Sequence, residues 1–70
     1  MITKTFYVVR FLNNNCEFEN FTTNNYLEAD LKASECITNN HSGYLMKITK
    51  TECVEFPQCN KTTEEMLKHW

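Results

Sequence analysis

The hydrophobic period of this 70-residue chain changes twice, from two to about 3.6 and back to two, and few small folds accommodate that pattern. Residues 4–12, KTFYVVRFL, are β-branched and aromatic, which favours a strand over a helix. Alternation places Tyr7, Val9 and Phe11 on one wholly apolar side, expected to face the core. Phe6, Val8, Arg10 and Leu12 share the other side with a charge among them. Asn13, Asn14 and Asn15 tolerate left-handed backbone and read as a hairpin turn. CEFEN then returns as a half-buried strand, with Cys16 and Phe18 expected inward and Glu17 and Glu19 outward.

In TTNNYLEADLKASECITNN the period lengthens. Asn25 with Glu28 three residues on is a capping-box signature, with Thr23 or Asn24 as alternative caps. At 100° per residue Tyr26, Ala29, Ala33, Cys36 and Ile37 share one arc, and the alanines permit close approach to a sheet. Leu27 and Leu31 fall off its centre, where they either widen the buried stripe or form an exposed apolar edge. Asn39, Asn40 and Gly43 punctuate the end, with Gly43 able to supply a positive φ. From there Tyr44, Met46 and Ile48 alternate with Leu45, Lys47 and Thr49, predicting a third strand with the first set inward. A turn near Lys50 and Thr51 would reverse it into ECVEF, with Val54 and Phe56 inward and Cys53 and Glu55 outward, until Pro57 stops the ladder. A second capping box, Thr62 to Glu65, precedes Met66, Leu67 and Trp70 and predicts a short C-terminal helix.

These elements assemble into a single α+β domain spanning residues 1–70. The expected architecture is a two-layer sandwich in ββαββ order: an antiparallel four-stranded sheet, order 2-1-3-4, with one main helix on one face and a short C-terminal helix. One Gly, one Pro and 41% hydrophobic residues fit a folded globule rather than a disordered tail. The apolar runs are far shorter than the ~20 residues of a spanning helix, so no membrane partner is expected.

Seven Lys and Arg stand against nine Asp and Glu, and neither sign is clustered, so the basic footprint of a nucleic-acid domain is absent. Lys4 and Arg10 interrupt the N-terminal apolar stretch, which lacks the form of a signal peptide, and a complete cytoplasmic product is expected. Four cysteines and three Asn-x-Ser/Thr triplets leave a secreted or structural disulfide domain as the alternative. A composition this rich in Asn, Ser and Thr also yields such triplets by chance. Cys16, Cys36, Cys53 and Cys59 lack the close pairs of a structural zinc site. A Cys36, His41, Cys53, Cys59 set can be drawn, but reduced thiols acting as small hydrophobes are the simpler account, and neither metal nor cofactor is expected.

Nothing in the chain assembles a reaction centre. His41 falls in a polar turn and His69 beside the terminus, Glu17 and Glu19 read as solubilising neighbours, and Cys59 beside Lys61 reads as a loop thiol. The face opposite the main helix is more informative. It is expected to carry Phe6, Val8, Arg10, Leu12, Glu17, Glu19, Leu45, Lys47, Thr49, Cys53 and Glu55, an apolar centre with a charged rim. Either the C-terminal helix folds over it, or it binds a protein, with Phe6, Arg10, Glu17, Glu19, Lys47 and Glu55 as contact candidates. A nucleic-acid role could combine Phe6 and Tyr44 with Arg10 and Lys47, and the glutamates on that face oppose it.

The layout spelled by FYVVRFL, CEFENF, NNYLEADLKASECI, YLMKITK and ECVEF, together with the small size and Asn- and Thr-rich composition, resembles small phage-encoded host-takeover proteins. Within that group it is similar to an anti-CRISPR family, a sheet with a single helix, that binds the type I surveillance complex. The resemblance implies a non-enzymatic inhibitor, monomer or homodimer, that blocks a host protein or defence complex in the host cytoplasm by steric occlusion. It assigns no individual residues.

Overall fold

In the computed structural model, which describes residues 2–53 and 60–70, the order along the chain is β1 (Ile2–Leu12), β2 (Phe18–Thr23), α1 (Tyr26–Thr38), β3 (Gly43–Glu52) and β4 (Lys61–His69). All neighbours are antiparallel in the order β2-β1-β3-β4, and α1 lies on one face. The α+β layout and sheet order thus follow the sequence reading.

Asn13 organises the first turn. Its side-chain oxygen accepts from the amides of Asn15 (2.8 Å) and Glu17 (3.0 Å), while Cys16 takes the left-handed conformation at φ 61°. The loop therefore runs to Glu17, and β2 starts at Phe18 rather than Cys16. At the helix start Asn25 accepts from the Leu27 amide at 2.9 Å. Glu28 does not close a box on Asn25; it accepts from the Thr23 hydroxyl at 2.7 Å, and Thr23 in turn accepts from the Asn25 amide.

The helix exit is a Schellman motif. The Asn40 amide donates to the Ile37 carbonyl and the His41 amide to the Cys36 carbonyl, with Asn40 at φ 60°. Gly43 was expected to supply the positive φ, but it does not; it already belongs to β3, and no described glycine has positive φ. Its reason is space. A Cβ there would sit 2.2 Å from the Arg10 carbonyl oxygen and 2.8 Å from the Phe11 Cα.

Three further expectations fail. Lys61–His69 is a strand, not a C-terminal helix, because β3 offers ten residues of ladder and the long-range pairing outweighs a local helical preference. β3 continues through Lys50 and Thr51 to Glu52, where the turn was expected, and the Val54 to Phe56 part of the expected fourth strand lies outside the described residues. Finally, β2 and β3 present their opposite faces to the helix. Tyr7, Val9 and Phe11 do face it, as expected, but their partners there are Thr23, Phe21 and Glu19 on β2 and Lys47, Leu45 and Gly43 on β3. Phe18, Met46 and Ile48, expected inward, are on the far side.

The core is correspondingly small: Val9, Phe11 and Leu45 from the sheet against Ala29, Ala33 and Cys36 from the helix. Tyr7, Phe21, Leu67 and Trp70 pack around it, half-buried. Tyr26 and Ile37, placed on the buried arc by period, are largely exposed near the helix ends, although Tyr26 meets Tyr7 edge-on at 5.4 Å. Leu27 and Leu31 form the exposed apolar edge. Trp70 closes one end of the sandwich, with Nε1 donating to the His41 carbonyl at 2.6 Å and its backbone paired to Gly43. Lys68, adjacent to a bulge in β4, donates to Asp30 of the helix, and that bond holds its ammonium above the usual lysine range.

Candidate functional site

Antiparallel partners share a face, so the register alone composes the surface opposite α1. Rows cross the sheet: Asn20, Arg10, Tyr44, His69; then Thr22, Val8, Met46, Met66; then Phe6, Ile48, Glu64; then Lys4, Lys50, Thr62. Leu12 pairs with Phe18 beyond the first row and Ile2 with Glu52 beyond the last. Eight large apolar side chains therefore cluster on one sheet face, with Ile2 apart beyond the Lys4–Lys50 row: Phe6, Val8, Leu12, Phe18, Tyr44, Met46, Ile48 and Met66. No helix or strand among the described residues covers them. The region spans about 14 Å across the strands and about 20 Å along them.

Its margins are as informative as its centre. Phe18 and Met66 are 59% and 52% exposed, whereas Phe6, Val8, Met46 and Ile48 at the centre are half-buried. At one end the Arg10 guanidinium lies over the Phe18 ring, 4.6 Å from the centroid. At the other end Lys50 lies over Phe6 at 5.5 Å and directly opposite Lys4 in the register. These rings brace the cations at the rim of the face, where both residues remain exposed. Between Leu12, Phe18, Tyr44 and His69 the surface dips into a shallow cleft of about 410 Å³.

Of the six contact candidates, the structure brings only Phe6 and Arg10 together on this face. Glu17 belongs to the Asn13 turn, where its amide donates to the Asn13 side chain. Glu19 pairs with Phe11 and so sits on the helix side, near enough to Cys36 to help raise its thiol pKa. Lys47 is also on the helix side, between Tyr7 and Glu65, and Leu45, expected open, is fully buried there. Glu55 lies outside the described residues. Phe18, Met46, Ile48, Lys50 and Met66 are the members that the sequence reading missed, and Tyr44 entered it only in the nucleic-acid alternative. The signal for them was parity: buried odd-numbered positions on β1 pair with odd-numbered positions on β2 and β3, leaving the even set outside.

The other chemically capable groups are dispersed. The His41 ring hydrogen-bonds Asn14 at 2.9 Å and stacks on Phe11, while His69 stands opposite Tyr44 on the open face. Cys36 is buried, and desolvation pushes its thiol above the ordinary range, with Lys32 opposing the shift. Cys16, Cys36 and Cys53 are free thiols. His41 precedes β3 and Cys53 follows it, roughly 30 Å apart by strand rise, which separates the metal set that could be drawn from sequence. Among the described residues no helix is long and apolar enough to cross a membrane.

Compared with protein-family models, curated proteins and solved structures, the chain finds no match in any of the three.

Proposed function

We propose that this chain is a non-enzymatic protein-binding module that docks a protein partner on its bare sheet face. One observation carries this: eight large apolar side chains on a single face without a covering layer among the described residues. A sheet face of this kind is normally half of a core, and an apolar patch rimmed by charge is the usual anatomy of a binding surface. The layout resembling small phage inhibitors extends the proposal to steric occlusion of a host or defence complex. That extension rests on the resemblance alone.

The test is site-specific photocrosslinking in cells. A benzoylphenylalanine replaces Phe18 on the open face or, as a control, Leu31 on the outer face of the helix; the native residues are 59% and 70% exposed. A discrete, nuclease-resistant protein adduct from position 18 and none from position 31 is the expected result. Equal labelling from both positions, or no adduct from position 18, would refute the proposal.

A further inference from the structure

The partner's chemistry can be narrowed from the charge pattern of the face, an inference that rests on the protein-docking proposal above. Arg10 is level with Tyr44, and Lys50 lies six residues further along β3, so the two cations are separated by about 20 Å of strand. Between them run Val8, Phe6, Met46 and Ile48, all apolar. Each cation is braced on a ring, Arg10 on Phe18 and Lys50 on Phe6. Lys4 beside Lys50 doubles the charge at that end. The ion pairs found among the described residues, Lys32 with Glu35 and Lys68 with Asp30, are off this face. Glu52 lies beyond Lys50 and Glu64 on the outer strand, so neither falls on the line joining the cations.

A second copy of the chain fits this pattern poorly. Stacking two such faces with strands aligned sets the Lys4 and Lys50 end against itself, and stacking them reversed sets it against Arg10. Both arrangements oppose like charges across a dry apolar layer. A single-stranded nucleic acid would find cations and aromatic rings, but the centre is aliphatic and thioether rather than a stacking platform, and the whole chain is acidic with a pI of 5.6. The remaining occupant is another protein's helix, the element that already covers the opposite face. A helix spanning 20 Å has about 13 residues.

We infer that the bare face receives an amphipathic helix of about four turns whose apolar stripe lies over Val8, Met46 and Ile48 and whose two ends carry carboxylates that meet Arg10 and the Lys4–Lys50 pair. The shallow cleft beside Tyr44 takes an apolar anchor near one of those ends.

Three fluorescent probes test this by anisotropy against the full chain: a helical peptide with a Leu and Ile stripe and Glu at both ends, the same peptide with Lys at both ends, and a single-stranded oligothymidine. The Glu-ended peptide is expected to bind at least about ten-fold tighter than the Lys-ended one. The double variant Arg10→Glu, Lys50→Glu, checked for an unchanged circular dichroism spectrum, is expected to invert that preference. Equal affinity for both peptides would overturn the charge inference while leaving protein docking in place. Binding of neither would overturn both. Tighter binding of the oligothymidine, or a dimer by sedimentation that these substitutions strengthen, would overturn it in favour of a nucleic acid or a second copy.

Discussion

Leu45 and Met46 are adjacent on one central strand, yet the structure puts them on opposite faces, so truncating each in turn measures which face is the core. Leu45 is 0% exposed between Val9 and the β4 bulge, whereas Met46 is half-buried on the bare face. Replacing a fully buried Leu by Ala removes its transfer free energy and leaves a cavity, together about 2–5 kcal/mol. A domain of this size has roughly 4–10 kcal/mol in all. Leu45→Ala therefore takes away about a fifth of the stability at the least and about all of it at the most. Met46→Ala loses only part of its contact area, about 1 kcal/mol or less, because no described helix or strand lies above it. The loss of strand propensity on going to Ala is similar at both sites and drops out of the comparison.

Urea titration followed by Trp70 fluorescence and far-UV circular dichroism reads both values. With a slope of about 1 kcal/mol per molar urea, Leu45→Ala is expected to lower the midpoint by about 2–5 M, or to unfold the chain outright, and Met46→Ala by about 1 M or less. Trp70 is a suitable reporter because it packs on the core from its hydrogen bond to His41. A Met46→Ala variant that is the less stable of the two would refute the face assignment, and with it the bare face on which the proposed function depends.

Gly43→Ala is expected to destabilise by more than ~2 kcal/mol, lowering the melting temperature by about 10 °C, since the new methyl would press on the Arg10 carbonyl and the Phe11 backbone. A merely permissive strand glycine would instead gain from the change, so a raised melting temperature would refute the close-approach account. For Cys36 the sign runs one way. Burial raises the thiol pKa in the folded state, so its contribution is complete below the ordinary thiol range and is lost as pH rises through the folded value. Denaturation midpoints of the native chain are expected to fall more steeply at alkaline pH than those of Cys36→Ala. Parallel curves would show that this thiol does not contribute.

What could be read from the residues divides along a physical line. β1 was legible on its own because Arg10 marks its wet side, and the helix was legible from its alanines and cap. β3 was not. Tyr44, Met46 and Ile48 form a purer apolar set than Leu45, Lys47 and Thr49, and by local alternation they belong inside. The register overrules this: with Val9 buried, only its cross-strand partner Leu45 can join it, and Gly43 must face Phe11, where a side chain would collide. Parity sends Phe18 outward in the same way and Phe21 inward. The capping box at Thr62 likewise lost to the second edge of β3, which pairs with β4 from Tyr44 to Thr51. In each case a local preference yielded to a pairing constraint set elsewhere in the chain. The result is a central strand whose two sides are both apolar while the described elements cover only one. A strand patterned for two layers, of which the described residues supply one, is inconsistent as a free-standing design, and such inconsistencies gather where function resides. On the proposed function the second layer is a partner's, which would make the misread face of β3 the place where that partner docks.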